Sequence, residues 1–409
     1  MTLWIDEPIW PAHDRLFSHL VSDTSYAELH EFARGQNLHP RSFDGDHYDV
    51  PQERWQQLVD AGAALTSGVD LARRLNASGL RLRKRKGDRG VSRQRAVPFP
   101  NGTSDVDLVA AREPARDDRV FAAMVFVRDM RGRFAVVYSI RRAEWGCPGG
   151  WREPGESPVE NAVRETLEET GLVIDPRRVV PCGYERFTPL TDDNVIVPER
   201  PYLQVFRTEL DGEGGQLSDG DDGIRETRWV DADELTRLCS DLFWWPLAVE
   251  IYPELGLELR VGQVDQGDGR DLVEAHIAEM RELYEGLELN AEGMPPAGPG
   301  ELGPPGGTLL VGYLYGRPVC VGGVKRLGAD ACEIKRMYVV PWARRRGIAR
   351  ALLRALEDAA RSLGYRVVRL DTGHRQPGAQ ALYESEGYLP IGNFNGHPTA
   401  TFFGEKRLR

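Results

Sequence analysis

The chain reads as an α/β protein of several domains, and three observations carry that reading. Its 409 residues exceed what one hydrophobic core serves, which points to about two to four domains. Short runs rich in β-branched and aromatic residues alternate with helical stretches along the chain. Two breaks in composition divide it: RKRKGDRG followed by QRAVPFPNGTSD, and IYPELGL near 251–257 with Pro253 and Gly256. The expected layout is a small α/β module over 1–86, a linker over 87–115, a middle domain over 116–250 and a C-terminal domain over 257–409.

Composition narrows the setting. Hydrophobic residues make up 41% of the chain, ample for several cores. No apolar run approaches the roughly 18 residues of a membrane span. The start, MTLWIDEPIWPAHDR, has charges and prolines where a secretory signal needs an apolar stretch, so a cytoplasmic protein without a membrane segment is expected. Five cysteines, Cys147, Cys182, Cys239, Cys320 and Cys332, are dispersed with no CxxC pair, which fits reduced thiols. The net charge of −11 is uneven: residues 1–86 hold 11 basic and 12 acidic side chains, and 257–409 hold 20 and 19. The excess acid therefore lies in the middle, which suits metal coordination and argues against a general nucleic-acid surface.

In the N-terminal module, TLWID reads as a strand, SYAELHEFARGQ as a helix and RSFDGDHYDV as a loop entering a further strand or turn. Five of the eight histidines fall here: His13, His19, His30, His39 and His47. Asp6, His13, His19, Asp46 and His47 are metal-ligand types at strand ends and turns, and Asp6, His13, Asp46 and His47 form the candidate transition-metal set. No tight spacing such as HExxH joins them, and surface or capping roles are the alternative. The pattern WIDEPIWPAH-RLFSHLVSDTS…FDGDHYDVP resembles a small bacterial family of unknown function, which supplies no activity. RLRKRK at the end of the module reads as a solvated basic linker, with a phosphate-binding arm as the alternative.

In the middle region VFAAMVFVRD and RFAVVYSIRR read as strands. Ser157-Pro158-Val159-Glu160 is a capping box with proline at the first helical position, so a helix starts at Ser157 and Gly171 ends it. Within it Glu165, Glu168 and Glu169, spaced i, i+3, i+4, put three carboxylates on one face. Ala162, Val163 and Leu167 supply an apolar side. Clustered carboxylates suit a hard divalent cation, although spacing alone also allows a solvated acidic face. Strands CGYERF, PYLQVFRTEL and ETRWV follow, then a helix over 231–248.

Residues 150–172, with Gly150, Glu156, Arg164, Glu165, Glu168, Glu169 and Gly171 in place, resemble the Nudix box. Thr166 departs from the family's preference for an aliphatic residue. The resemblance covers about 116–250 and implies an α/β/α sandwich that hydrolyses a phosphoanhydride in a nucleoside diphosphate derivative with Mg2+ or Mn2+. It implies metal binding by Glu165, Glu168 and Glu169, support of the metal or water by Glu156, and orientation of the carboxylates by Arg164. It also makes TDDNVIVPER (191–200) a substrate-reading loop and Glu226 an additional metal-assisting acid. Trp145, Trp151, Trp244 and Trp245 are either base-stacking or packing residues.

In the C-terminal region CEIKRMYVVP reads as a strand, RRRGIARALLRALEDAARSLG as a helix, VVRLDT as a strand and ALYESEGY as a helix end. Arg344, Gly347 and Ala349, placed between strand and helix, resemble the pyrophosphate loop of GNAT acyltransferases, over about 257–409. Small residues there let backbone N–H groups approach a phosphate at a helix N-terminus. The resemblance implies a mixed-sheet α/β fold using acetyl-CoA. Its pyrophosphate would be held across Arg345, Arg346, Gly347, Ile348, Ala349 and Arg350, with Met337–Val339 pairing the pantetheine arm. The resemblance also implies that Arg344 and Arg346 add charge, with solvated members of the RRR run as the alternative, and that Tyr383 protonates the departing thiolate, with a core aromatic packed under the sheet as the alternative; Glu333 is a lesser candidate base. Gln376 stands where the family often has Asn. GMPPAGPGELGPPGG (293–307) is expected to be a mobile lid or spacer.

The expected protein is thus bifunctional, hydrolysing a nucleoside diphosphate derivative and acetylating a small amine, with no nucleic-acid partner. The alternative is a nucleotide- and acyl-CoA-sensing protein without turnover.

Overall fold

A computed structural model describes residues 3–100, 102–191, 199–218 and 224–408. The chain divides into two compact units, Met1–Ile251 and Tyr252–Arg409.

The N-terminal module is organised around the strand Arg15–Ser22. It pairs antiparallel with Trp10–Ala12, Tyr48–Pro51 and Leu3–Ile5, and Leu3–Ile5 pairs in parallel with Ala64–Leu65. Alternation along Arg15–Ser22 buries Ser18 and Leu20 and leaves His19 between them on the other face. Helices Tyr26–Gly35 and Gly68–Ala77 begin at Ser25 and Ser67, whose side chains accept backbone N–H groups of Glu28 and Asp70. Leu3, Ile5, Leu20, Leu29, Val50 and Leu58 form the core.

The stretch expected to be a linker is instead a hairpin. Arg89–Phe99 pairs with Gly102–Ala110, which pairs on with Val180–Pro189, so the hairpin extends the middle sheet. Its polar composition is absorbed by cross-strand ion pairs: Arg93 lies 2.8 Å from Asp105 and 2.5 Å from Asp107. The basic run before it is also tied down, with Arg81 at 3.4 Å from Asp46, Lys84 at 2.6 Å from Asp44 and Arg85 at 2.7 Å from Asp88. Module and middle region accordingly belong to one unit.

Among the described residues the middle sheet has nine strands. Val120–Arg128 and Tyr202–Glu209 run parallel at its centre, and Gly149–Trp151 pairs with Val120–Arg128. The helix Pro158–Thr170 packs Ala162 against Ala123, Val125 and Val127. Leu167, expected on the packed side, is 48% exposed. The buried stripe is Pro158, Ala162, Thr166 and Thr170, one residue every four, and Leu167 falls one step off it. Thr166 is tolerated inside because its hydroxyl donates to the Ala162 carbonyl at 2.7 Å. The helix expected over 231–248 is two, Ala232–Cys239 and Trp245–Ile251. Pro246 fits only the first turn of the second, because it lacks an N–H for a helix interior.

The second unit is a seven-stranded sheet in the order Glu258–Gly262, Thr308–Leu314, Arg317–Arg326, Ala331–Val339, Val367–Gly373, Ala400–Arg407, Leu389–Pro390. The helix Ile348–Ser362 packs Leu352, Leu353 and Leu356 against Val324, Ile334 and Val368. The segment 293–307, expected to be mobile, is packed: Ala297 and Leu302 are buried with Leu309 and Val311.

Candidate functional site

The capping box at Ser157 and the left-handed Gly171, φ 72°, bound the acidic helix as its sequence requires. Gly149–Trp151 lies across it. A Cβ on Gly150 would stand 2.6 Å from the Glu165 carboxylate, so only glycine leaves that carboxylate room. Gly149 N–H donates to Glu169 Oε2 at 2.9 Å. Arg164 grips Glu156 through Nε to Oε1 at 2.9 Å and Nη2 to Oε2 at 3.1 Å. Its Nη1 reaches Glu168 at 2.8 Å and Glu165 at 3.0 Å. One guanidinium thus touches three glutamates, a fork that lysine cannot reproduce.

Burial pushes the Glu169 carboxyl up to about 7, with Glu165 pushing the same way against Gly149 N–H and Arg142. Burial also raises Glu165, opposed by Arg164. Burial pushes Glu156 up, but Arg164 and the Glu153 N–H together hold it below the ordinary value. Glu165, Glu168 and Glu169 share a helix face, yet the one group whose ligand atoms fall within 4.8 Å of one another, among the described residues, is His19, His47 and Asp49.

Glu226 is exposed and lies 3.4 Å from Arg228. Trp244 is buried against Phe126, Trp145 lies under the Arg228 guanidinium, and Trp151 packs on Phe121 with 46% exposure. Most of the expected substrate loop, 192–198, lies outside the described residues. Sequence reasoning missed Glu185, fully buried on Val180–Pro189 and pushed up to about 8 by burial, with Arg142 opposing and Glu144 reinforcing. Arg142 acts on both Glu185 and Glu169. No motif marks Glu185, a lone acid next to Arg186 in the strand VPCGYERFTP.

In the second unit, Ala331–Val339 joins Val367–Gly373 only through Ala331, Cys332 and Glu333. Beyond that point the strands separate, and Met337–Val339 borders the gap. Gly347 begins the following helix in the left-handed region, φ 77°, and a Cβ there would meet the Glu254 carboxylate at 2.5–2.7 Å. Arg344 is committed to the fold: it donates to the Val339 carbonyl at 2.8 Å and lies 2.6 Å from Glu279. Arg350 lies 2.7 Å from Glu386.

A cavity of about 90 Å3 is lined by His276, Arg336, Met337, Asp371, Tyr383 and His397, among others. Tyr383 is buried with its hydroxyl 3.9 Å from Met337 Sδ, and burial, reinforced by Asp371, holds that hydroxyl protonated well above the ordinary phenol value. Asp371 accepts from Lys335 Nζ and Asn395 Nδ2, both at 2.6 Å. Burial pushes His276 down to about 3, with Arg336 and Arg344 adding to the effect, so it is neutral. Glu333 has no exposed surface and is held by Lys335 at 3.0 Å and Asn395 at 2.6 Å, which removes it as an accessible base.

The N-terminal set is corrected. His13 is exposed on a turn with φ 48°. Asp6 and Asp46 sit behind imidazoles: Asp6 Oδ2 is 3.1 Å from His19 Nδ1, and Asp46 Oδ1 is 2.6 Å from His47 Nδ1. Asp49 completes the group and was overlooked, although its i, i+2 spacing from His47 places both on one side of an extended segment.

Comparison with known proteins gives three family matches. Residues 3–78 match the family described as protein of unknown function DUF4031, 118–255 the NUDIX domain, and 269–388 the acetyltransferase (GNAT) family. A nucleoside triphosphate pyrophosphatase/Nudix hydrolase fusion protein of Bifidobacterium longum is 29% identical over 152 residues, 36% of this chain and 27% of that protein. An IAA acetyltransferase of Azospirillum brasilense is 41% identical over 78 residues, 19% of this chain and 51% of that one. The chain thus spans about a quarter and about a half of these two relatives. The crystal structure of a GNAT-family acetyltransferase from Staphylococcus aureus, 16% identical, aligns with 37% of this chain and 100% of its own at a TM-score of 0.31.

Proposed function

The chain belongs to the Nudix and GNAT families, behind a module of the DUF4031 family, and from that premise we propose a two-headed enzyme. The first site hydrolyses a phosphoanhydride in a nucleoside diphosphate derivative. The second transfers an acetyl group from acetyl-CoA to a small amine.

The observation that carries the first activity is the grip of Arg164 on Glu156, Glu165 and Glu168, beside a Glu169 fixed by Gly149 N–H. The donor set fits a hard cation, since Glu165, Glu168 and Glu169 offer only carboxylate oxygens and Arg164 neutralises one flank alone. When bound, Mg2+ or Mn2+ neutralises phosphate charge and lowers the pKa of the attacking water. Arg164 keeps Glu156 and Glu168 from swinging away, and Glu169 accepts the proton of the water. A nucleotide sensor without turnover has no need of this complete set, which favours catalysis.

For the second activity, Met337–Val339 offers a strand edge to the pantetheine amides, and Arg345–Arg350 offers backbone N–H groups to the pyrophosphate. Attack of the neutral amine forms the new N–C bond and breaks the C–S bond, the protonated Tyr383 hydroxyl donates to the departing sulfur, and the proton lost by the acylated nitrogen returns through water to the phenolate. A panel of nucleoside di- and triphosphates, dinucleotides and nucleotide sugars with Mg2+ tests the first activity. Release of free thiol from acetyl-CoA across a panel of amines tests the second. Inertness of the folded protein in both would overturn the proposal.

A further inference from the structure

Apart from both enzymatic sites, two imidazoles and a carboxylate converge in the N-terminal module. His19 lies on Arg15–Ser22 directly opposite Asp49 on Tyr48–Pro51, and His47 immediately precedes that second strand. Asp49 Oδ1 lies 3.3 Å from His47 Nε2 and 4.0 Å from His19 Nε2. One ligand atom from each of the three residues falls within 4.8 Å of the others.

The far side of each ring is fixed by a buried carboxylate. Asp6, 2% exposed, meets His19 Nδ1 at 3.1 Å and is itself held by Trp10 Nε1 at 2.9 Å and His19 N–H at 2.5 Å. Asp46, also 2% exposed, meets His47 Nδ1 at 2.6 Å and accepts Leu82 N–H at 2.7 Å. With each Nδ1 facing a buried carboxylate, both Nε2 atoms turn toward Asp49. A metal ion at that point takes the place of the Nε2 proton that otherwise joins His47 to Asp49 at 3.3 Å. A carboxylate behind each imidazole is the support that metal-binding histidines require, since it fixes the tautomer and raises the basicity of the ligand nitrogen.

We propose that His19, His47 and Asp49 bind a divalent first-row transition metal ion of the Zn2+ type. Two nitrogens and one carboxylate select such an ion over Mg2+ or Ca2+. Bonds of about 2.0–2.1 Å in a tetrahedron set ligand atoms about 3.3 Å apart, so the His47–Asp49 edge already fits, the His19–Asp49 edge closes by about 0.7 Å and the His19–His47 edge by at most about 1.5 Å. Three protein ligands leave a coordination position open, and with the Asp49 side chain 42% exposed that position faces solvent and admits water or a small anion.

The test uses the full chain, stripped with chelator and titrated with Co2+ in excess Mg2+, so that oxygen-rich sites are already filled. The expected result is one equivalent of Co2+ with the visible band of a low-coordinate, nitrogen-ligated ion, displaced by one equivalent of Zn2+. His19→Ala and His47→Ala abolish the band, as does Asp49→Ala at its half-exposed position. Asp6→Asn weakens Co2+ binding by about 10–100-fold, and His13→Asn leaves it unchanged. Circular dichroism and thermal melting establish that each variant is folded. A folded wild-type chain without the band, or a band of wild-type strength in folded Asp49→Ala and His47→Ala, would overturn the proposal.

Discussion

Arg164 and Glu156 form a two-pronged pair, Nε to Oε1 at 2.9 Å and Nη2 to Oε2 at 3.1 Å, and the same guanidinium reaches two further glutamates. Glu156 lies outside the helix, so this pair ties the incoming loop to the acidic face. Arg164→Lys keeps the charge but loses the fork. Because a charge-assisted hydrogen bond contributes about 1.5–3 kcal/mol, hydrolysis should fall roughly 10–100-fold, with a higher Mg2+ requirement. Steady-state rates against Mg2+ concentration check this.

Gly150→Ala should disable the same site by a different route. The added Cβ stands 2.6 Å from the Glu165 carboxylate, which must then leave its place. Hydrolysis should drop by at least tenfold, about 1.4 kcal/mol of barrier. Acetyl transfer by the same sample should be unchanged, which separates local displacement from loss of fold.

Glu185 predicts a pH dependence of stability. Its carboxyl is pushed up to about 8 by burial from an ordinary 4.5, so the folded state favours the protonated form. Its stabilising contribution is full below about 4.5 and is lost as pH rises through 8, each pKa unit being about 1.4 kcal/mol. Glu185→Gln, neutral and of similar shape, should therefore melt higher than wild type at pH 9 and much closer to it at pH 5. Thermal melts of the two proteins at both pH values check the sign.

At the second site Tyr383→Phe removes one hydroxyl and keeps the packing. Turnover of acetyl-CoA with an accepted amine should fall by about 100-fold or more, as for loss of a general acid. Acetyl-CoA affinity by calorimetry should not change. An unaltered rate would leave Tyr383 as a packing residue.

Where local chemistry dictates local structure, the sequence was legible. Ser157, Glu160, Pro158 and Gly171 define both ends of the acidic helix. The order of strands and helices around Gly347 is likewise readable, because its apolar runs alternate with one strongly amphipathic helix. The hairpin Arg89–Phe99 with Gly102–Ala110 was hidden because its charges are satisfied across strands, by Arg93 with Asp105 and Asp107, and no local window contains both partners. Leu167 falls outside because a buried stripe of one residue in every four turns on a single step. His19 and His47 are legible as ligand types, but Asp49 and the meeting of the three are not, because strand pairing brings together segments some thirty positions apart. Glu185 and Asp371 carry no motif, and only burial singles them out.

The face carrying Glu165, Glu168 and Glu169 is proposed as a working metal-dependent hydrolytic site. The most direct measurement is Mg2+-dependent release of product from an accepted nucleoside diphosphate derivative by wild type and Glu169→Gln, side by side. Glu169→Gln should lose about two or more orders of magnitude in turnover, the range expected when a general base is removed, while its melting temperature and its acetyltransferase rate stay near wild type. Hydrolysis by folded Glu169→Gln at the wild-type rate would remove the Glu165, Glu168 and Glu169 face as the hydrolytic site.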